Sequence, residues 1–218
     1  MKPLFFDIDG TLHKEDMFAA FLRFLIARRL LTTLIFLPLI LMGVLIWRCR
    51  PTGQLGVRLM YSTACIGLNE ATYHQMIQQF AEQFKGSYTP FKQVLAKLNT
   101  PHRILLISGS PTEIIQAVYA DLVARDNVRL IGTLTKPCCG TRQITQRCYR
   151  EQKVKMLDKD FPNLHFAEGY SDSLSDVPIL MRCERAFLIS KQGDISVLHL
   201  QNSGEIRSLE QNKSQTLH

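Results

Sequence analysis

Asp7 and Asp9 stand two residues apart at the end of the apolar run Leu4 to Ile8, with Gly10-Thr11 immediately after them. Side chains two residues apart on an extended segment return to one face, so both carboxylates can address one reacting atom. An ionised carboxylate oxygen can attack phosphorus, and the resulting aspartyl-phosphate divides a difficult hydrolysis into two displacements. A second carboxyl group can protonate the departing alkoxide and then activate the water that breaks the intermediate. Asp7 is assigned the first role and Asp9 the second, while Gly10 lets the backbone turn tightly beneath a phosphate.

Three further groups complete this chemistry. Ser108 ends the apolar run Ile104 to Ile107 ahead of Gly109-Ser110-Pro111, so Thr11, Ser108 and Gly109 are the candidates to hold phosphate oxygens through hydroxyls and amides. A lysine must neutralise the charge that gathers on the nucleophile and the transferring group, and both Lys153 and Lys155 are chemically suited. Mg²⁺ fits a place where several anionic oxygens converge. The side chains of Asp7 and Asp172 and the backbone carbonyl of Asp9 are its candidate ligands. Asp176, four residues after Asp172, is expected to orient a ligand or metal-bound water from the same helical face. His13, Glu15 and Asp16 are near enough in sequence to touch substrate, although helix capping and solvation are the simpler reading of them.

Elements must bring these residues together. Strand character over 4–8 gives way to helical patterning near Asp16, and helix over 71–98 is interrupted near Gly86 and Pro90. Strand returns at 103–107. Helix at 112–124, strand at 128–131, helix at 151–159, strand at 164–167, helix at 176–181 and strand at 186–189 then alternate, which predicts a parallel sheet covered by helices. Ligands of such sheets sit at the carboxyl ends of strands, where Asp7, Asp9, Ser108 and Asp172 fall. The division expected is a catalytic domain over 1–200, with its core split between 1–13 and 101–200, a helical cap insertion over 14–100, and a polar tail over 201–218.

The chain has 218 residues, 46% of them apolar, enough for one good core but short of two full domains. Its 26 basic against 19 acidic residues leave a net charge of +7, which favours anionic partners. Nucleic acid is disfavoured as that partner, because the basic residues form no aromatic-interleaved patch or binding motif. Six cysteines without a CxxC pair predict reduced thiols rather than a zinc site. Asp7 and Asp9 lie where a signal peptide would need apolar residues, so the N-terminus is expected to be retained.

The stretch 30–47 offers about 18 uncharged, mostly apolar residues, roughly 27 Å of helix and barely the thickness of a bilayer core. A single crossing would separate Asp7 and Asp9 from Ser108 and Asp172 by a membrane. An even number of crossings, or none, is therefore required, and Pro38 favours a kinked re-entrant hairpin or an interfacial helix pair, with 59–68 as a second leg. Arg28, Arg29, Arg48 and Arg50 flank the segment and would favour an anionic membrane surface. A buried helix in a soluble cap is the competing reading.

Through DIDGTL at 7–12, LLISGSP ending at Pro111, REQKV around Lys153 and YSDSLSDVPIL from Tyr170, the sequence resembles the haloacid dehalogenase superfamily. The resemblance implies a Rossmann-like sheet, Mg²⁺, and Lys153 rather than Lys155 as the motif lysine. Many relatives carry Gly-Asp-Ser where this chain has Ser171-Asp172-Ser173. More narrowly, FFDIDGTLHKEDMF, the basic-flanked insertion with LPL, and GYSDSLSD are similar to the phosphatidylglycerophosphatase C family. That similarity implies conversion of phosphatidylglycerophosphate to phosphatidylglycerol at the bacterial inner membrane, with the site facing the cytoplasm; no obligate protein partner is inferred from the sequence. A phosphatase for a soluble phosphomonoester such as phosphoserine, or a catalytically silent membrane interaction protein, are the alternatives.

Overall fold

The computed structural model describes residues 2–49, 54–87, 89–200 and 206–207. Its elements in chain order are β1 (Leu4–Phe6), α1 (Met17–Arg28), α2 (Leu30–Ile35), α3 (Leu37–Cys49), α4 (Leu55–Ala64), α5 (Glu70–Ser87), α6 (Lys92–Lys97) and β2 (Ile104–Pro111). After them come α7 (Thr112–Val118), α8 (Ala120–Val123), β3 (Val128–Cys138), β4 (Thr141–Gln146), α9 (Glu151–Asp160), β5 (Phe166–Ser171), α10 (Val177–Leu180), β6 (Cys183–Ile189), β7 (Ile195–Leu200) and β8 (Ile206–Arg207).

Among the described residues one sheet runs in the order β4-β3-β2-β1-β5-β6-β7-β8. The strands from β3 across to β6 are mutually parallel, as the alternating pattern predicts. The ends are antiparallel, with β4 folding back on β3 and β7 on β6. Both antiparallel additions escape the alternation argument because short hairpin connections, not helices, introduce them.

Alternation along the central strands divides the core in two. Leu4, Phe6, Ile104 and Leu106 face a cluster that includes Phe21, Tyr73, Ile77 and Phe80. Phe5, Leu105 and Ile107 face the opposite cluster with Met156, Leu157, Ile179 and Leu180. α1, α5 and α7 therefore cover one face and α9 and α10 the other. Of the helices between β1 and β2, α1, α4, α5 and α6 share one continuous core with the sheet, while α2 and α3 contribute no residue to it. Buried Arg142 on β4 ties two of these helices down by donating to Glu70 of α5 and Glu113 of α7.

The apolar stretch is not one rod. α2 stops at Ile35, Phe36 closes its last turn by donating to Thr32 O, and α3 starts at Leu37 with Pro38 in its first turn, where a missing N–H costs little. Among the described residues no helix is long and apolar enough to cross a membrane. α4 packs along α3 with nearly touching backbones: a Cβ on Gly56 would lie 2.6 Å from both Gly43 O and Trp47 N. Arg29 is occupied in this arrangement, donating to the carbonyls of Ala64, the last residue of α4, and of Ile66 just beyond it. It is thus a clamp between helices, whereas Arg28 and Arg48 are exposed and Arg50 lies outside the described residues.

Gly56→Ala is expected to force α3 away from α4 and lower stability by about 2 kcal/mol, measured by thermal or chemical denaturation. An unchanged midpoint would contradict the close approach of the two helices.

Candidate active site

The register of the sheet assembles the site. Phe6 pairs with Leu106 on one side and Tyr170 on the other, so the residues that follow, Asp7, Ile107-Ser108 and Ser171-Asp172, emerge together at the carboxyl edge. The order of strands turns at β1, because β2 lies to one side and β5 to the other. Crevices in open α/β sheets form at such a point. Asp7 N donates to Tyr170 O at 2.9 Å, which fixes the start of the nucleophile turn. Gly10 has φ +73°, and a Cβ there would lie 2.2 Å from Asp172 Oδ2. A side chain at position 10 would push the two acidic segments apart.

Lys153 is the hinge of the electrostatics. It reaches from the first turn of α9, buried, and donates to Asp7 Oδ1 and Asp176 Oδ2, each at 2.7 Å. Lys155 is exposed two residues away, so of the two candidates Lys153 is the one brought to the carboxylates. Burial works against the Lys153 ammonium, but Asp7 and Asp176 outweigh it and hold the proton firmly. Burial pushes the Asp7 carboxyl well up; Lys153 pulls it back, and Asp176, Asp9 and Asp172 push it up again. Asp176 does not stand alone, since Ser171 Oγ also donates to its Oδ2 at 2.8 Å. The serine in place of the usual glycine thus helps to hold the lysine's second partner.

Asp9 is held differently. Its Oδ1 accepts from Met17 N at 2.8 Å, while its Oδ2 accepts from Ser108 Oγ at 2.9 Å and Ser110 Oγ at 2.7 Å. Burial raises the Asp9 carboxyl, and the bonds from Ser110, Met17 and Ser108 oppose the rise. Thr11 and Ser108, the candidates to hold phosphate oxygens, are bonded to protein groups here. Both are fully buried, with Thr11 Oγ1 accepting from Asp172 N at 3.0 Å and Ser108 turned to Asp9. They brace the acidic loops behind the cleft, whereas Gly109 lines it.

The cleft is lined by Asp7, Asp9, Asp16, Asp172 and Asp176 against only Lys153 and Arg147 among charged groups. Five carboxylates facing two cations would repel a phosphate, so an added cation suits the site physically. Among the described residues no group of three or more His, Cys, Asp or Glu side chains has the arrangement of a metal site. The expected ligand set, two carboxylates and the Asp9 carbonyl, lies outside that description because it uses only two side chains. Burial and then Asp176 raise the Asp172 carboxyl to about 6, with Lys153 opposing the rise, and Asp172 is exposed to solvent.

Ser110, Arg147 and Tyr149 are among the lining residues that were not singled out for the site by sequence. The i, i+2 spacing of Ser108 and Ser110 was the available signal for the first. Arg147 and Tyr149 follow β4, whose antiparallel course lies outside the alternation. Asp16 lines the cleft and also caps α1 by accepting from Ala19 N at 2.8 Å. Glu15 accepts from Thr89 N instead. His13 points into the core, fully buried, with Nδ1 2.6 Å from Tyr119 Oη. A wider hollow between α1 and α5, lined by Arg23, Phe24 and Phe80, contains no carboxylate.

A family model described as a haloacid dehalogenase-like hydrolase matches residues 4–181. A protein of unknown function from Bordetella pertussis Tohama I is similar at 18% identity over 85% of this chain and 88% of its own, with a TM-score of 0.62. A phosphoserine phosphohydrolase-like protein from Francisella tularensis subsp. tularensis SCHU S4 is similar at 15% identity, over 85% and 86% of the two chains, with a TM-score of 0.50. A phosphoserine phosphatase in a phospho-aspartyl intermediate analogue form is similar at 12% identity, over 85% and 84%, with a TM-score of 0.52. At these identities the structures share the fold.

Burial lowers the His13 imidazole from 6.5 to about 4. The unfolded chain then binds this proton first, so the stability His13 provides is complete above about pH 6.5 and is lost as pH falls toward 4. The stability of the wild type relative to His13→Gln should fall by on the order of 2 kcal/mol between pH 7 and 4.5, read from urea titrations at each pH. A difference that grows on acidification would contradict the buried neutral ring.

Proposed function

The chain belongs to the haloacid dehalogenase-like hydrolases, membership that carries phosphatase activity, and from that premise we propose that its substrate is a membrane phospholipid, phosphatidylglycerophosphate, converted to phosphatidylglycerol. The observation that carries the lipid assignment is the surface of α2 and α3. Of the sixteen exposed large apolar residues among those described, eleven lie between Leu30 and Trp47. A patch this concentrated marks contact with a membrane or another protein. Exposed Arg28 and Arg48 at its ends suit an anionic leaflet. The two short helices fit an interfacial or re-entrant arrangement, which leaves every site residue on one side of the bilayer. The bacterial inner membrane, with the cleft toward the cytoplasm, is the location this reading assigns.

In the proposed reaction an Asp7 oxygen attacks the terminal phosphorus as the bond to the glycerol oxygen breaks. Asp9 gives its proton to that oxygen, and phosphatidylglycerol leaves. Asp9 then takes a proton from water as the water oxygen attacks phosphorus, releasing phosphate and restoring the Asp7 carboxylate. Ser108, Ser110 and the Met17 amide orient Asp9 for both transfers. Lys153 stays protonated and offsets the charge on Asp7 and the transferring group. Mg²⁺ would be held by Asp7, Asp172 and the Asp9 carbonyl, and would neutralise phosphoryl oxygens in a cleft too acidic to admit them otherwise.

Purified protein should release phosphate from phosphatidylglycerophosphate in mixed micelles, with kcat/KM at least about tenfold above that for phosphoserine. Chelation and Asp7→Asn should each abolish release. Preference for phosphoserine would overturn the lipid assignment. Release that survives Asp7→Asn would overturn the nucleophile.

A further inference from the structure

Arg147 has no task in the chemistry above, yet it lines the reaction cleft. Its Nε and Nη1 are buried, and neither has a hydrogen-bond partner among the described residues. Leaving buried guanidinium donors unmatched is costly. The group is also held in place, because its Cζ stacks 4.8 Å from the centre of the Tyr149 ring. Arg150 lies against the same ring at 5.4 Å but does not line the cleft.

The position of Arg147 identifies the part of the substrate it would meet. Asp16 caps α1, and Met17, the next residue, binds Asp9, the proposed proton donor to the leaving oxygen. Asp16 attracts the Arg147 guanidinium, so Arg147 stands on the Asp9 side of the cleft, where the leaving group emerges. Arg58 on α4 is the opposing neighbour, and its positive charge adds to burial in lowering the Arg147 proton affinity. α4 packs on β4, with Thr141 Oγ1 donating to Ser62 O at 2.5 Å, and it runs along α3. Arg147 thus feels both Asp16 and Arg58, the latter on the helix that packs along α3.

We propose that Arg147 is a specificity-determining residue that binds a second anionic group on the leaving-group side of the substrate, the phosphodiester of the lipid headgroup. This rests on the phospholipid reading. A guanidinium with two free donors matches the two non-bridging oxygens of a phosphodiester. In phosphatidylglycerophosphate a three-carbon glycerol separates the two phosphates, and the diester leads to the acyl chains. The arrangement selects phosphomonoesters that carry a second anion over those that do not.

The test compares three soluble substrates: deacylated phosphatidylglycerophosphate, phosphoserine, and p-nitrophenyl phosphate, whose leaving group carries no second anion. In Arg147→Gln, kcat/KM for the deacylated lipid relative to p-nitrophenyl phosphate should fall about tenfold or more, chiefly through KM. Arg147→Lys should recover part of the loss, and it keeps the test open if the glutamine variant does not fold. An unchanged ratio in both variants overturns the proposal, whatever happens to absolute rates. If the wild type does not hydrolyse the deacylated lipid, the phospholipid reading fails separately. The phosphoserine ratio then decides whether Arg147 grips any second anion: a tenfold fall supports the subsite, and no fall removes it.

Discussion

The buried triad in which Lys153 donates to both Asp7 and Asp176 is the interaction on which the rest of the site depends. Three charged groups withdrawn from water are tolerated only if each finds its partners, and removing one would leave the others uncompensated. The ion pairs join α9 to the turn after β1 and to the segment entering α10. They therefore fix the cleft geometry as well as its charge. The surplus of carboxylates around them keeps the cleft acidic, a condition that favours a cation.

Much of this arrangement was legible because the parallel α/β pattern has a geometric consequence: polar residues ending its strands must meet at one edge. Asp7, Asp9 and Asp172 follow directly from that rule. The orientation of hydroxyls does not. The hydroxyls of Thr11 and Ser108 are claimed by Asp172 N and Asp9, and such competition depends on the register between strands that are distant in sequence. Arg147 was hidden for a different reason. It follows an antiparallel arm, and no helical or strand periodicity points from that arm to the cleft.

The apolar stretch shows both what hydropathy can tell and where it stops. Composition marks 30–47 as unusual, and Pro38 points to a break, which falls at Phe36. Hydropathy alone cannot distinguish a rod from two short helices lying over a partner. The distinction arises from packing, where Gly43 and Gly56 let α4 lie against α3 while the outer faces of α2 and α3 remain bare. In this arrangement the helices that expose apolar surface also lean, through α4 and β4, on the residues at the mouth of the cleft. Membrane contact and headgroup recognition would thereby share one mechanical support.

The central claim is covalent: the phosphoryl group passes through Asp7 while Lys153 holds that carboxylate in place. Acid quenching during turnover of ³²P-labelled substrate, followed by peptide mapping, measures this directly. The account predicts label on the peptide containing Asp7, labile to hydroxylamine as an acyl phosphate is, and much reduced in Lys153→Met. Turnover with no protein-bound label, or with label on another residue, would contradict it.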